Sequence, residues 1–337
     1  MLALDIGGAN LKASDGEERS VSRPFAIWRS PERLTDELRS LLQIWPDCPG
    51  LAVTMTAELA DCFATKAEGI DRILHAVETV AAGRPVVVWQ TGGEFISPDE
   101  ARGLTPLVAA SNWHALATWS ARLLGSDSGL LIDIGSTTTD LIPLADGLPS
   151  SRGLTDVERL SSGELLYLGV KRTPLCAVAT VVPWREGVCP LAAELFATTY
   201  DLFVLTGDLP DSAADRETAD GRPATRLQSH SRLAHMLCCD VTELSMADAV
   251  SIAHALRETV YNRLRAGLDR VLSSLASPCQ GLILSGEGEF AARSVLKSMP
   301  ELSTRPKYSL SELLGSTHSG AACAFALSRL ATEHCVL

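Results

Sequence analysis

Two segments of the chain repeat one arrangement of residues that could bind phosphate and a metal ion. In residues 2–12 and 131–141, an apolar run ends in an aspartate, Asp5 or Asp133, and glycine and then amide or hydroxyl side chains follow. Such a strand carries a carboxylate to its tip, and the glycines allow a tight hairpin whose backbone N–H groups can approach a phosphate. A single copy could equally be an aspartate that caps a turn. Two copies predict two half-sites that face each other across a cleft.

The predicted ligands divide by their chemistry. Asp5 and Asp133 are the predicted metal ligands, because Mg²⁺ takes a few carboxylate oxygens together with phosphate oxygens. The residues predicted to bind phosphate in the two turns are Gly7, Gly8, Asn10, Gly135, Ser136, Thr137 and Thr138. Lys12, Lys171 and Arg172 are the predicted cations for the same anion, with an ordinary surface pair as the alternative for the last two.

A third turn lies late in the chain. It follows an apolar strand and opens a helix, where backbone N–H groups could bind an anion or a nucleoside. Its residues are Ser285, Gly286 and Gly288. Alone, this pattern is weak, but it follows the two aspartate turns in order and completes a set of three.

Residues 207–226 form a long segment rich in charged residues, proline and glycine. Long ordered loops in compact enzymes are often lids over a substrate, and a solvated surface loop is the alternative. As a lid, the segment would bring Asp208, Asp220 and Arg222 to the ligand.

Alternating strands and helices are predicted to position these turns. The predicted strands after the first turn are 51–55, 85–89, 130–134, 139–144, 201–206 and 281–285, and the predicted helices are 30–46, 70–82, 109–124, 245–275 and 315–331. The strands 130–134 and 139–144 are expected to pair as a hairpin. This alternation is typical of an α/β layer architecture.

Composition narrows the class of protein. The 337 residues are enough for two domains, and a net charge of −12 without a basic face argues against a nucleic-acid-binding protein. Nine cysteines without a Cys-x-x-Cys pair predict reduced thiols. Cys238 and Cys239 are predicted to lie inside a helix, with a redox or metal-binding pair as the alternative. No apolar run is long enough to cross a membrane, so we expect a cytoplasmic protein. The sequence leaves open whether it forms a homo-oligomer.

The three turns, in this order, resemble those of the ASKHA fold, which includes acetate and sugar kinases, Hsp70 and actin. The chain is more closely similar to the hydantoinase A/oxoprolinase family, and within it to proteins linked to the tetrahydromethanopterin-dependent one-carbon pathway and methanofuran biosynthesis. The segments that carry the resemblance are residues 5–12, 58–63, 133–140, 163–174, 218–225 and 285–290. The resemblance implies two actin-like α/β domains around a central cleft, one formed by residues 1–108 and 315–337 and the other by residues 109–314.

The resemblance also implies a reaction. A phenol oxygen of a tyramine or tyrosine derivative would displace diphosphate from an aminomethyl-furfuryl diphosphate and form an ether. Departure of diphosphate calls for Mg²⁺ and positive charge on the leaving oxygens. The predicted catalytic residues are Asp5, Lys12, Asp133 and Asp140. For the base that accepts the phenol proton, Asp140, Asp133 and Asp208 all remain candidates.

Two departures from the kinases of this fold argue against ATP. Those kinases usually carry threonine or serine where Asn10 stands, and two consecutive glycines where Gly286 and Gly288 are separated by Glu287. Both departures suit a site that binds a substrate diphosphate. An ATP-dependent hydantoinase-type hydrolase or small-molecule kinase is the first alternative, and a non-catalytic protein of one-carbon metabolism is the second. The identity of the phenolic acceptor stays open.

Overall fold

The computed structural model describes residues 1–334 and consists of two mixed β-sheets covered by helices, together with a separate two-stranded hairpin. The strands are β1 (Leu2–Ile6), β2 (Asn10–Ser14), β3 (Ser20–Pro24), β4 (Leu51–Met55), β5 (Val86–Trp89), β6 (Phe95–Ile96), β7 (Gly129–Ile134), β8 (Thr139–Ala145), β9 (Leu148–Pro149), β10 (Leu165–Leu166), β11 (Val181–Trp184), β12 (Gly187–Pro190), β13 (Gly281–Ser285) and β14 (Lys307–Ser309).

The helices alternate with these strands along the chain. The α-helices are α1 (Leu34–Leu42), α2 (Lys66–Ala81), α3 (Pro98–Gly103), α4 (Thr105–Val108), α5 (Asn112–Ser120), α6 (Asp156–Ser162), α7 (Leu175–Val178), α8 (Thr199–Thr206), α9 (Arg226–Met236), α10 (Met246–Leu272), α11 (Glu289–Lys297), α12 (Pro300–Ser303), α13 (Leu310–Ser319) and α14 (Ala322–His334). Two short 3₁₀ helices cover Pro31–Arg33 and Ala121–Leu124. No helix in residues 1–334 is long and apolar enough to cross a membrane.

The two sheets repeat one strand order. The first runs β3-β2-β1-β4-β5-β6 and the second β10-β8-β7-β13-β14, with β9 beside β8. In both, the first strand pairs antiparallel with the hairpin partner that follows it and parallel with a later strand that arrives after a helix. The α/β fold class is confirmed, and the two sheets share one arrangement of strands. The predicted limits of the domains stay a prediction.

Two large apolar cores hold the two sheets. One lies around β1, β4 and α2 and includes Leu4, Val53 and Ile73, which are fully buried. The other lies around β7, β13 and α10. Helix α14, far along the chain, returns to pack against β1, β2, β4 and α5. The chain therefore closes on its own first strand, where the Ser328 hydroxyl donates to the Met1 carbonyl oxygen at 2.6 Å.

Three local predictions are wrong. Residues 201–206 form most of helix α8 and no strand, because Thr198 caps the helix with Asp201 in a capping box and Gly207 ends it in the left-handed region. Cys238 and Cys239 lie just past α9, and Cys238 has a φ of 56° that ends any helix there. The predicted helix 315–331 is interrupted, because Gly315 has a φ of 70° and α14 begins only at Ala322.

Candidate active site

A cleft of about 590 Å³ is lined by residues from both sheets. Both aspartate turns contribute to it, so the structure brings the two predicted half-sites together. The sequence-predicted residues that line it are Asp5, Gly7, Gly8, Asn10, Lys12, Asp133, Gly135, Ser136, Thr137, Thr138, Asp140 and Arg172. Cys323, at the start of α14, also lines the cleft, so the returning helix reaches the site.

The two turns have the same backbone geometry. Gly7 N–H donates to the Asn10 carbonyl oxygen at 3.0 Å, and Gly135 N–H donates to that of Thr138 at 2.9 Å. Each turn joins a pair of antiparallel strands, and the residue opposite the aspartate differs between them. Lys12 lies opposite Asp5, whereas Asp140 lies opposite Asp133. The duplicated turn therefore presents a cation in one half and a second carboxylate in the other.

Lys12 carries its charge among carboxylates. Burial lowers the pKa of the Lys12 ammonium, but the nearby carboxylates, including Asp5 and Asp133, raise it. The raising effects are the larger, so the pKa of Lys12 lies above its ordinary value. Burial raises the pKa of Asp5, which Lys12 and Asn112 oppose. Burial and the nearby Asp140 raise the pKa of Asp133 to about 6, against the effects of Lys12 and Ser285. Lys12 stays protonated at neutral pH and faces both predicted metal ligands.

The segment 169–172 is fastened to the second turn by its backbone. Val170 N–H donates to the Gly135 carbonyl oxygen at 3.0 Å, and the N–H groups of Lys171 and Arg172 donate to that of Ser136 at 3.0 and 2.9 Å. The approach requires glycine at 169, because a Cβ there would lie 2.5 Å from the Ser136 carbonyl group. Arg172 is thereby held at the cleft.

Lys171 has a different position from its neighbour. It does not line the cleft; its ammonium pairs with Glu287 at 2.9 Å and lies 5.1 Å from the centre of the Tyr200 ring. Glu287 belongs to the late glycine turn, so this ion pair joins the turn to the segment 169–172.

The late glycine turn packs behind Asp133. A Cβ at Gly286 would lie 2.6 Å from the Asp133 Oδ1 atom, and one at Gly288 would lie 2.7 Å from the Ile134 Cβ atom. The Gly288 N–H donates to the Ile134 carbonyl oxygen at 2.8 Å, so it is already used within the fold. Neither glycine lines the cleft, and Ser285 does not line it either. Ser285 lies beside Asp133 in the parallel pairing of β13 with β7. The structure thus gives these glycines a packing role beside Asp133, the predicted metal ligand.

The segment 207–226 lies away from the cleft lining. Asp208 pairs with Arg257 at 3.2 Å, and Asp220 pairs with both Arg222 and the buried Arg232, at 2.6 and 3.0 Å. These ion pairs tie the segment to α9 and α10. None of Asp208, Asp220 and Arg222 reaches the cleft in this structure.

Asp140 belongs to a buried ionic network that the sequence did not reveal. It forms an ion pair with Arg159, whose side chain is 1% exposed and also pairs with Asp156 at 3.5 Å. The Arg159 guanidinium lies 3.9 Å from the centre of the Trp113 ring, and all four residues line the cleft. Asp140 is therefore a neutralised member of a fixed cluster.

Glu58 is a second residue that sequence reasoning missed as a site residue. It lies just after β4, lines the cleft and is 2% exposed. Burial raises the pKa of Glu58 to about 7; Asp156 also raises it, whereas Lys66 and the backbone N–H groups of Glu58 and Ala110 lower it. The available signal was that Glu58 opens one of the segments that carry the family resemblance, 58–63.

Three aromatic side chains also line the cleft. Trp28, Trp113 and Tyr167 line the cleft, and the Arg172 guanidinium lies 5.1 Å from the centre of the Trp28 ring. Trp28 is placed by the segment after β3, in which the N–H groups of Phe25 and Ile27 donate to the first turn at 2.8 and 3.1 Å.

The aspartates fit a metal with few protein ligands. Within residues 1–334, no cluster of three or more His, Cys, Asp or Glu side chains could hold an ion by itself. The Asp5 Oδ1 atom is buried and has no hydrogen-bond partner in the described part of the chain. One or two carboxylates with an unused oxygen suit Mg²⁺, which keeps waters and binds substrate phosphates.

Comparison with known proteins places the chain in a family. The family model described as Hydantoinase/oxoprolinase matches residues 50–298. The chain belongs to the hydantoinase/oxoprolinase family. This member is 31% identical over 312 residues to the "(4-{4-[2-(gamma-L-glutamylamino)ethyl]phenoxymethyl}furan-2-yl)methanamine synthase" of Methanocaldococcus jannaschii, covering 91% of this chain and 92% of the relative. It is 29% identical over 201 residues to the protein of the same name from Methanococcus vannielii, covering 60% of this chain and 89% of that protein.

Solved structures show more distant likenesses to this hydantoinase/oxoprolinase-family chain. Component A of the (R)-2-hydroxyglutaryl-CoA dehydratase of Acidaminococcus fermentans aligns with a TM-score of 0.47 at 10% identity, covering 100% of this chain and 99% of that one. A nucleotide-free acetone carboxylase aligns with a TM-score of 0.47 at 13% identity, covering 95% and 51%. At these scores the likenesses add nothing to the fold described above.

Proposed function

We propose that this protein is a transferase of methanofuran-type cofactor biosynthesis that joins an aminomethyl-furfuryl diphosphate to the phenol oxygen of a tyramine or tyrosine derivative. The observation that carries the proposal is the similarity to the M. jannaschii synthase along 91% of this chain and 92% of that protein. The printed name of that relative contains a phenoxymethyl group on a furan, which is the ether such a reaction forms.

The bond changes define what the site must do. The phenol gives up its proton, its oxygen attacks the furfuryl methylene carbon, and the bond from that carbon to the diphosphate oxygen breaks. Diphosphate leaves with the electron pair. The site therefore has to bind an anion that gains charge, hold two aromatic rings close together, and remove a proton from a phenol.

The cleft offers groups for the anion. Lys12 supplies a protonated amine, Arg172 a guanidinium, and the two turns supply backbone N–H groups and hydroxyls. When bound, Mg²⁺ would be held by Asp5 and Asp133 and would neutralise charge on the diphosphate oxygens. Preorganised positive charge of this kind stabilises a leaving group more strongly as its charge develops.

The cleft also offers surfaces for the two rings. Trp28, Trp113 and Tyr167 provide aromatic faces and edges against which a furan and a phenol can pack. A volume of about 590 Å³ is within the range of sites that bind small organic molecules.

The proposal is tested by supplying a furfuryl diphosphate together with tyramine or γ-glutamyltyramine and Mg²⁺. Diphosphate release is followed by a coupled phosphate assay, and the ether product by mass spectrometry. We expect release only when both substrates are present. Chelating the metal with EDTA should abolish release, and adding excess Mg²⁺ should restore it. No diphosphate above the level of a boiled-protein control would contradict the proposal.

The family match favours one second candidate, an ATP-dependent hydrolase. It predicts Mg²⁺-dependent ATP binding by calorimetry and ATP hydrolysis stimulated by a cyclic amide such as hydantoin or oxoproline. Diphosphate binding without ATP binding would instead support the transferase. The occupied Gly288 N–H and the packed glycines of the late turn also favour the transferase.

A further inference from the structure

The carboxylates that line the cleft differ in whether they are free to accept a proton. We infer that Glu58 is the catalytic base that takes the phenol proton as the ether bond forms, an inference that rests on the proposed transfer reaction. Glu58 is buried and lies at the cleft, and one of its carboxylate oxygens has no hydrogen-bond partner within residues 1–334.

The backbone at Glu58 is held on both sides. The N–H groups of Thr56 and Ala57 donate to the Ile6 carbonyl oxygen at 3.0 and 3.1 Å, which keeps this segment beside the tip of β1, next to Asp5. On the other side, α2 approaches so closely that a Cβ at Gly69 would lie 2.7 Å from the Glu58 Cα atom. Glu58 is therefore positioned by rigid elements and by a glycine that has no room for a side chain.

The side chain is available for a ligand. Its Oε2 atom is buried and has no hydrogen-bond partner among the described residues. Buried carboxylate oxygens are almost always satisfied, because leaving one unpaired costs free energy. A hydroxyl group bound in the cleft would satisfy this oxygen, and the phenol of the acceptor is the hydroxyl that the proposed reaction brings.

The competing carboxylates other than Asp61 are paired with or face a cation. Asp61 also lines the cleft, but it is exposed to solvent, whereas Glu58 is buried. Asp140 and Asp156 both pair with Arg159. Asp5 and Asp133 face Lys12 and are the proposed metal ligands. Asp208, the candidate in the segment 207–226, pairs with Arg257 away from the cleft.

Glu58 has the proton affinity that the step needs. Its pKa of about 7 results from burial, with Asp156 of α6 adding to the effect and Lys66 of α2 opposing it. The Glu58 carboxylate and its acid are both present near neutral pH, which is the condition for efficient general base catalysis. The proton passes from the phenol oxygen to Glu58, the oxygen forms the carbon–oxygen bond, and the electron pair of the broken bond leaves with diphosphate.

The experiment compares Glu58→Gln with Glu32→Gln, an exposed glutamate outside the cleft, in the complete assay with both substrates. We expect E58Q to lower kcat by about 100-fold to 10,000-fold with KM values nearly unchanged, and to move the acidic limb of the wild-type pH–rate profile to lower pH. E32Q should behave as the wild type.

A ring-fluorinated tyramine tests the role more directly. The phenol of this acceptor ionises at lower pH, so its reaction depends less on a base. The decrease in kcat caused by E58Q should therefore be much smaller with this acceptor. An equal loss with both acceptors, or an E58Q enzyme with wild-type kcat, would overturn the inference. If E58Q does not fold, Glu58→Asp is used; retraction of the carboxylate should lower kcat about tenfold or more while the acidic limb persists. A wild-type kcat in E58D overturns the inference.

The two proposals fail in different ways. If the wild-type protein makes no ether, the proposed function fails and the role of Glu58 fails with it. If the wild type makes the ether and E58Q does so equally well, only the role of Glu58 is wrong.

Discussion

Lys12 and Asp140 occupy the same position in the two halves of the chain and carry opposite charges. Each lies across an antiparallel pair from an aspartate of the site. Asp140 is neutralised by Arg159, whereas Lys12 is surrounded by Asp5, Asp133 and the cleft. One exchanged side chain thus converts a repeated turn into two different halves of a site.

Lys12→Met should remove the cation without removing much packing volume. We expect kcat/KM for diphosphate release to fall about 100-fold to 1,000-fold, because positive charge at the leaving group is lost. The variant should also lose more stability at about pH 8 than at about pH 5, because Asp5 and Asp133 must ionise there without a neighbouring cation. Thermal unfolding at the two pH values measures this difference. Lys297→Met, on the exposed end of α11, is the control and should change neither quantity.

Lys12 is expected to stabilise the fold at high pH, whereas the charged form of Glu58 is expected to destabilise it. Its pKa is raised to about 7 in the folded protein, so the folded state binds this proton more tightly than the unfolded chain does. The free energy of unfolding should therefore fall as pH rises from about 4.5 to about 7, by roughly 1–3 kcal/mol from this group. Glu58→Gln should raise the melting temperature relative to wild type at about pH 8 and much less at about pH 4.5. A lower melting temperature of E58Q at both pH values would show that the carboxylate stabilises the fold.

At the scale of elements, local sequence signals located the turns and missed what depends on burial. The spacing of Asp5 and Asp133 with their glycines was sufficient to locate the two hairpins, because turn chemistry is local. The apolar run 201–206 was misread as a strand, since a short buried run has no periodicity that separates strand from helix. Its capping box and Gly207 were the signals that would have corrected it.

The site was only partly predictable for the same reason. Glu58 has no glycine turn beside it in the sequence, and its raised pKa arises from burial that exists only in the folded protein. Arg159 is separated from Asp140 in sequence and meets it only after α6 has packed. Lys171 resembled Arg172 in sequence, but its partner Glu287 lies more than a hundred residues away.

The contact of α2 with Glu58 gives an element-scale prediction. In Gly69→Ala the new methyl group would overlap with the backbone of Glu58, so α2 must shift. We expect a loss of about 1–3 kcal/mol in the free energy of unfolding and a lower kcat, measured by urea unfolding and the transferase assay. Gly103→Ala, at the end of α3 where a Cβ meets no atom within 4 Å, is the matched control. Equal stability of the two variants would show that α2 is free to move away from Glu58.

At the scale of the molecule, the two sheets are linked across the mouth of the cleft. Trp28 follows β3 of the first sheet, and Arg172 is fastened to the β7–β8 turn of the second, with the guanidinium 5.1 Å from the ring centre. The Arg172 guanidinium can therefore interact both with the Trp28 indole and with an anion bound between the turns.

A double-mutant cycle with Trp28→Ala and Arg172→Ala measures this link. We expect each single variant to raise KM for the diphosphate substrate, and the two effects to be non-additive by about 0.5–1 kcal/mol. Combining Trp28→Ala with Arg185→Ala is the control, because Arg185 stacks on Trp184 in a separate hairpin. Strict additivity for the first pair would mean that the two side chains act independently.

The return of α14 to the first sheet has a consequence for how the chain is made. The helix covers small residues of β1 and β4, Ala3 and Ala52, with Leu327 and Ala331. Helix α14 follows β1 by more than 300 residues, so this face of the first sheet cannot be fully covered until α14 has been synthesised. All strands of the second sheet precede α14 in the chain, so that sheet can form its hydrogen bonds before α14 covers the first sheet. The half that is synthesised first is therefore completed only by a helix from the far end of the described chain, and Asp5 and Lys12 acquire their final surroundings only once α14 has docked.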